Sequence, residues 1–175
     1  MNKEIIKYPN SILRKKCGEI QEITEDVKKL GQEMIQTLTE SQGLGLAASQ
    51  IGELKRIIVV QTEKGPEAFI NPKIIKKSKE TEIGEEGCLS FPELFLKIKR
   101  AREVEVEALN YRVSVNGSEG GEEDEVLFDL RGEKIKIKTD GLLARVFQHE
   151  IDHLDGILFI DRISFSQKLW RLLKS

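Results

Sequence analysis

Apolar residues recur at helical spacing in the first quarter of the chain. Between Thr24 and Gln42 they fall three or four positions apart, which predicts an amphipathic helix with one buried face. Thr24 can cap the start of this helix, and Gly43 marks its end. Its apolar positions are Val27, Leu30, Met34, Ile35 and Leu38.

A second helix is predicted from Gly141 to Leu154. Asp140 precedes it as N-cap, and Gly156 lies just past its end, where glycine commonly terminates a helix. Ser164 to Lys174 predicts a short terminal helix.

The middle of the chain has the pattern of strands. Arg56 to Gln61 is apolar enough for a buried strand, and Ala68 to Lys77 predicts another, with a break at Asn71-Pro72. Glu103 to Leu109 and Lys134 to Lys138 alternate between charged and apolar residues, as half-buried strands do.

The order of these elements indicates the fold class. Strands follow one another in hairpin-like succession and the long helices lie towards the two ends, which favours α+β with largely antiparallel sheets over alternating βαβ units. At 175 residues, of which 39% are hydrophobic, the chain fits a single domain spanning residues 1–175. The glycine-rich acidic stretch Asn116 to Asp124 predicts a solvated loop.

Composition excludes two classes of partner. The chain has 28 basic and 30 acidic residues and a net charge of −2, so there is no electrostatic basis for binding nucleic acid or an anionic membrane. No segment approaches the ~20 apolar residues of a membrane span, and the start lacks the apolar run of a signal peptide. With only two cysteines, the sequence predicts a reducing, cytoplasmic compartment in which a free thiolate can serve chemistry.

Both histidines of the chain lie in one short segment, His149-Glu150-Ile151-Asp152-His153. This HExxH spacing places two imidazoles on one helical face, where they can bind one metal ion. Glu150 beside them is placed to act on a metal-bound water. The alternative is a chance match with histidines at the surface, and the use of the entire histidine content in one motif argues against it.

A catalytic metal needs a third protein ligand and an open position. The metzincin pattern would place a third histidine where the chain has Phe159, and no glutamate follows Glu150. Asp155 and Asp161 remain as weak candidates.

Cys88 is the better candidate for the third ligand. Gly87 before it and Pro92 after it suit a rigid turn that presents a thiolate. Burial as a small hydrophobe is the commoner fate of a free cysteine, and it fits Cys17 better than Cys88.

Three segments, in this order, resemble the motifs of the peptide deformylase family: Gly43 to Gln50, Glu86 to Ser90 and Gln148 to His153. By itself, the first of them would predict only a tight turn after the helix. The resemblance covers most of the chain. It implies largely antiparallel sheets packed around a central helix that carries the HExxH motif. It also implies a metal-dependent hydrolase that removes the N-formyl group from the formyl-methionine of nascent proteins and releases formate.

The resemblance implies a role for each matching residue. Cys88, His149 and His153 would bind the metal, with Fe²⁺ as the active form and Zn²⁺ or Ni²⁺ as substitutes. Glu150 would take and return a proton. The other implied site residues are Gln50 and the backbone N–H of Leu89, which would stabilise the oxyanion, and Leu44 and Gly45, which would lie along an extended substrate.

Leu142 and Val146 share the helical face of the histidines, one and two turns before them. They can form a wall for an unbranched apolar side chain such as methionine, or they can simply fill the core. The partners implied are N-formyl-methionyl peptides and nascent chains, with transient contact to the ribosome. Some bacterial members of the family dock there through a longer C-terminal helix, and the tail after Asp161 is short for that role.

Two rival functions remain open at the level of sequence. An HExxH peptidase with Asp155 or Asp161 as third ligand would cut internal peptide bonds. A non-catalytic relative would bind peptide N-termini, but binding alone would not require Glu150 or Gln50.

Overall fold

The computed structural model describes residues 3–110 and 133–163 of the chain. The loop predicted at Asn116 to Asp124 and the terminal helix predicted at Ser164 to Lys174 lie outside these residues. The described part holds the helices α1 (Glu25–Glu40) and α2 (Gly141–Leu154) and the strands β1 (Gly45–Ala47), β2 (Ile57–Thr62), β3 (Gly65–Lys77), β4 (Thr81–Cys88), β5 (Phe91–Ala101), β6 (Glu103–Asn110) and β7 (Glu133–Asp140).

The strands form two antiparallel sheets. Five strands pair in the order β1-β2-β3-β6-β7, and β4 pairs with β5 as a separate two-stranded sheet. The prediction of an α+β fold with antiparallel sheets is therefore confirmed. None of the helices in the described ranges is long and apolar enough to cross a bilayer.

The larger sheet is covered by a helix on each face. In β2, Ile57 and Val59 pack in the cluster formed with α1, whereas Ile58 and Val60 pack in the cluster formed with α2. Because successive side chains of a strand point to opposite faces, a strand covered on both sides reads as a continuous apolar run. This explains why the sequence marks β2 so clearly.

The break predicted within the second strand is present. Asn71 has a φ of 50°, and the pairing of β3 with β6 shifts register between Ile70 and Lys73. The Asn71 side chain donates to the carbonyl of Ile20 at 2.7 Å and accepts from its N–H at 2.9 Å, which stabilises the bend.

The helix boundaries differ in detail from the predictions. α1 ends at Glu40 rather than Gln42, and Ser41 is its C-cap. Thr24 and Asp140 occupy the two N-cap positions, but neither side chain makes a capping hydrogen bond. Gly156 has a φ of 72° just past α2, in the left-handed region that glycine adopts without strain.

Two expectations about strands are corrected. The stretch Gly43 to Gln50 is not only a turn, because Gly45–Ala47 pairs with β2 and Ala48–Ile51 forms a 3-10 turn. The strands β4 and β5 were not predicted at all. β4 contains Gly84 and Gly87, which have no side chain to reveal an alternating pattern.

Candidate metal centre

The last residue of β4 meets helix α2 at a group of three potential metal ligands. The ligand atoms of Cys88, His149 and His153 all lie within 4.8 Å of one another. The Sγ of Cys88 is 3.3 Å from Nε2 of His153. The spacing of four residues places both imidazoles on one face of α2, and the β4–β5 turn presents the thiol to that face.

The chemistry of this group fits a metal ion. Both histidines are buried, so the alternative of histidines at the surface is excluded. Burial and the charge of His149 lower the pKa of His153 well below its ordinary value, which keeps it in the neutral form that binds metals. Within the part of the chain that is described, Glu150 Oε2 and His153 Nδ1 are buried without a hydrogen-bond partner. A buried carboxylate oxygen that lacks a donor is typical of a site that accepts a ligand or water.

Glu86 fixes the orientation of His149. Its Oε2 lies 3.0 Å from Nδ1 of His149. Burial by itself would raise the pKa of Glu86, but the hydrogen bonds from His149 and Arg100 outweigh it and lower that pKa to about 2. An ionised carboxylate can only accept, so Nδ1 of His149 donates to Glu86, and a metal ion would bind at Nε2 in place of the proton there.

Two buried arginines complete the surroundings of Glu86. Arg100 donates from Nε and Nη2 at 2.9 and 3.0 Å, and Arg145 donates from Nη1 at 2.8 Å. Arg100 also pairs with Asp152, which accepts in turn from Nε of Arg162 at 3.0 Å. The sequence interpretation gave no role to this network. In the sequence, its sign is that charged residues such as Arg145 and Asp152 occur among the apolar residues of α2.

Glu150 lies on the cavity side of α2 and is 4% exposed. Burial raises the pKa of its carboxyl to about 7, against the lowering effect of His149. A Cβ added at Gly45 would lie 2.5 Å from Glu150 Oε1. The glycine at the start of β1 therefore makes room for this carboxylate.

Gln50 and Leu89, which the resemblance implies as oxyanion donors, lie beside Cys88. The Oε1 of Gln50 accepts from the N–H of Ala47 at 2.8 Å, so its Nε2 points the other way and lies 3.5 Å from Sγ of Cys88 and 3.2 Å from Oγ of Ser90. The carbonyl of Leu89 accepts from Lys7 Nζ at 2.6 Å. Both residues line the same cavity as Cys88 and His149.

This cavity has a volume of about 520 Å³. Leu44, Gly45, Leu142 and Val146 all line it, together with Cys88, His149 and Glu150. Leu142 is 62% exposed, which excludes the alternative that it fills the core. Val146 is half-buried, so it both packs against the core under α2 and lines the cavity.

The other candidate ligands lie elsewhere. Asp155 pairs with Nη1 of Arg56 at 2.7 Å, and Asp161 pairs with Arg14. Cys17 is a buried member of the core cluster, and burial raises the pKa of its thiol. Neither aspartate nor Cys17 belongs to the ligand group formed by the described residues.

Comparison with known proteins agrees with this geometry. The profile of the "Polypeptide deformylase" family matches residues 2–116 and 126–169. The peptide deformylase of Thermotoga maritima is 40% identical over 162 residues, which are 93% of this chain and 87% of the relative.

The chain belongs to the peptide deformylase family. Solved structures of peptide deformylases share its fold. That of the Thermotoga maritima enzyme has a TM-score of 0.80 at 39% identity, covering 94% of this chain and 99% of the other. That of the Ehrlichia chaffeensis enzyme in complex with actinonin has a TM-score of 0.80 at 34% identity, covering 99% and 95%.

Family membership identifies the activity. Peptide deformylases are metal-dependent hydrolases that act on N-formyl peptides, and Cys88, His149 and His153 form a group able to hold the metal in this member. The family match leaves out residues 117–125, which overlap the glycine-rich acidic stretch Asn116 to Asp124.

Proposed function

We propose that this chain removes the formyl group from the N-terminal formyl-methionine of newly made proteins and releases formate. The observation that carries the proposal is the group Cys88, His149 and His153 beside the buried carboxylate of Glu150, with Cys88, His149 and Glu150 lining one cavity. This arrangement supplies three ligands and one base, the set that hydrolysis at a single metal requires.

Helix α2 would be the central metal-binding helix of the fold, with the HExxH motif in its last two turns. It packs against the larger sheet through Phe147 and Ile151 and reaches the smaller sheet through Arg145 and His149. Ligands on a helix held from both sides keep their geometry without any rearrangement on binding.

The chain's own residues divide the proposed reaction among them. A divalent ion held by the three ligands would act as a Lewis acid and lower the pKa of a water molecule. Glu150 would take a proton from that water as the water oxygen bonds to the formyl carbon, and would deliver the proton to the amine as the C–N bond breaks. Nε2 of Gln50 and the N–H of Leu89 would donate to the oxygen of the formyl group as it gains negative charge. The bond from Ala47 to Oε1 of Gln50 holds the amide in the required orientation.

A peptide would bind between the two sheets. Leu44 and Gly45 at the start of β1 and Glu85 to Cys88 in β4 line the cavity, and β1 and β4 each lie at the edge of their sheet. An extended peptide can therefore form backbone hydrogen bonds as an added strand, as peptides commonly do at open sheet edges. Leu142 and Val146 would form the wall that receives the methionine side chain.

Ferrous iron is the metal proposed for the active form. Two imidazoles and one thiolate suit both Zn²⁺ and Fe²⁺, so the ligand types do not decide between them. Exposure of an Fe²⁺–thiolate site to oxygen would oxidise either the metal or Cys88. Aerobic preparations are therefore expected to be weakly active or loaded with zinc.

The test is a formate-release assay on formyl-Met-Ala-Ser with protein that has been stripped of metal and reloaded with one equivalent of Fe²⁺, Ni²⁺ or Zn²⁺, with and without air. We expect the Fe²⁺ and Ni²⁺ forms to exceed the zinc form in kcat/KM, and the Fe²⁺ form alone to lose activity in air. Equal, air-stable activity of all forms would refute the metal proposal only. Cleavage of blocked internal peptide bonds without formate release would refute the proposed function and favour the peptidase.

A further inference from the structure

Phe95 is a large apolar residue that the reaction proposed above does not use. It lies in β5, is 63% exposed and lines the cavity that holds the metal ligands. Its ring covers the backbone of Gly87, because a Cβ added there would lie 2.7 Å from Cε1 and 3.0 Å from Cδ1 of Phe95. A phenylalanine with this exposure keeps much of its apolar surface in water, where it can gain free energy by contact with a ligand.

The two faces of β4 show which side of the cavity Phe95 occupies. Glu86 faces helix α2, since its carboxylate contacts His149 and Arg145. Leu96 of β5 pairs with Glu86, and because side chains alternate along a strand, the neighbouring Phe95 faces the opposite side, where its ring covers Gly87. Phe95 therefore lies on the face of β4 that points away from Leu142 and Val146.

The larger sheet contributes a matching residue to the lining of the cavity, Leu44. Gly45 faces Glu150 on α2. Leu44 comes directly before it and continues the pairing with β2, because its carbonyl accepts from the N–H of Gln61 at 2.9 Å. By alternation Leu44 faces away from α2, and it is 50% exposed. Two exposed apolar side chains, one from each sheet, thus flank the outer side of the cavity.

An extended peptide between the two sheets would alternate in the same way. If the first side chain points to the wall of α2, the second points to the outer side, between Leu44 and Phe95. We propose that Phe95 is a specificity-determining residue that recognises an apolar or aromatic side chain at the second position of the formylated peptide. This inference rests on the proposed function, because it uses the peptide orientation given there.

The experiment compares kcat/KM for formyl-Met-Xaa-Ser peptides in which the second residue is Phe, Leu, Ala or Asp. We expect the wild type to prefer Phe over Ala by about 3- to 10-fold, the range of one aromatic contact. The difference should fall in KM rather than kcat, because the contact is remote from the formyl group and is the same before and during the reaction. Phe95→Ala should bring the ratio close to one, and Phe95→Leu should keep part of the preference.

Ile83→Ala is the matched control. Ile83 is 65% exposed on the same outer face of β4, four residues before Gly87, but it does not line the cavity. Its substitution should leave the Phe-to-Ala ratio at the wild-type value.

Four results would overturn the inference in an enzyme that releases formate: no preference in the wild type, an unchanged ratio in Phe95→Ala, an equal loss in Ile83→Ala, or a change confined to kcat. If the wild type releases no formate from any of these peptides, the proposed function fails as well. The two failures are therefore distinguishable.

Discussion

At the scale of single residues, Glu150 and Glu86 show how position decides the behaviour of a carboxylate. Both are buried, yet burial raises the pKa of Glu150 to about 7, whereas hydrogen bonds from His149 and Arg100 outweigh burial and lower that of Glu86 to about 2. A base works best with a pKa near the working pH, and a carboxylate that orients a histidine must stay ionised. The two glutamates therefore suit different tasks.

Replacing Glu150 with glutamine tests its role as base. Gln keeps the size of the side chain but cannot accept a proton, so turnover should fall by about 10²–10⁴-fold while metal content stays near wild type. Metal content by atomic emission and formate release on the same sample provide the measurement. Loss of metal in Glu150→Gln would show that this residue is a ligand.

Replacing Glu86 with glutamine tests the buried charge network. Arg145 would lose its charged partner in the protein interior and Arg100 would keep only Asp152. Removing one member of a buried pair destabilises by about 3–5 kcal/mol. His149 would lose its fixed orientation, and metal affinity should fall by about 10- to 100-fold. Urea unfolding of the metal-free protein and a metal titration measure the two effects separately.

Glu82→Gln is the control for this substitution. Glu82 lies on the same strand with its side chain exposed, so both quantities should stay near wild type. Equal stability and affinity in Glu86→Gln and Glu82→Gln would contradict the role assigned to Glu86.

At the scale of elements, the close approach of β1 to α2 defines the cavity. Gly45 allows this approach, since a methyl group there would lie within 3.0 Å of three Glu150 atoms. Glu150 is buried and has little room to move. The size of the side chain at position 45 thus controls where the carboxylate of Glu150 lies.

Gly45→Ala should displace Glu150 and reduce kcat by about 10²-fold, the effect of a misplacement near 1 Å. Gly18→Ala is the matched control, because a Cβ there would meet only the Leu54 carbonyl oxygen at an ordinary 3.8 Å. Wild-type kcat in Gly45→Ala would mean that the carboxylate adjusts freely.

At the scale of the whole molecule, the metal site joins two sheets that do not pair with each other in the described residues. Cys88 comes from the two-stranded sheet, whereas His149 and His153 come from the helix that covers the larger sheet. A two-stranded sheet is at best marginally stable alone. Its contacts with α2, including the bonds of Glu86 to Arg145 and His149, therefore hold it in place.

Metal removal should loosen the smaller sheet first. A ligand at 1,000 times its Kd stabilises the native state by about 4 kcal/mol, so a chelator should lower Tm. Amide hydrogen exchange should increase more in β4 and β5 than in β2 and β3. Cys88→Ala should lose both the metal and the response to chelator, whereas Cys17→Ala should keep the metal. Uniform exchange changes across both sheets would contradict this prediction.

The sequence by itself determined the features that depend on local spacing. The i, i+4 pair of histidines fixed one face of α2, apolar periodicity marked α1, and a continuous apolar run marked β2, because helices and doubly covered strands impose these patterns directly. Three motifs in a fixed order indicated the family.

The tertiary structure decided what the sequence could not. β4 has charged residues and glycines where an alternating pattern would be expected. The positions of β4 and β5 depend on contacts with α2, which lies more than 40 residues away in sequence. The pairing of Glu86 with His149, the space that Gly45 leaves for Glu150 and the position of Phe95 over Gly87 all join residues that are distant or on different elements. Such contacts are set by the packing of whole elements, and for that reason no local pattern in the chain predicts them.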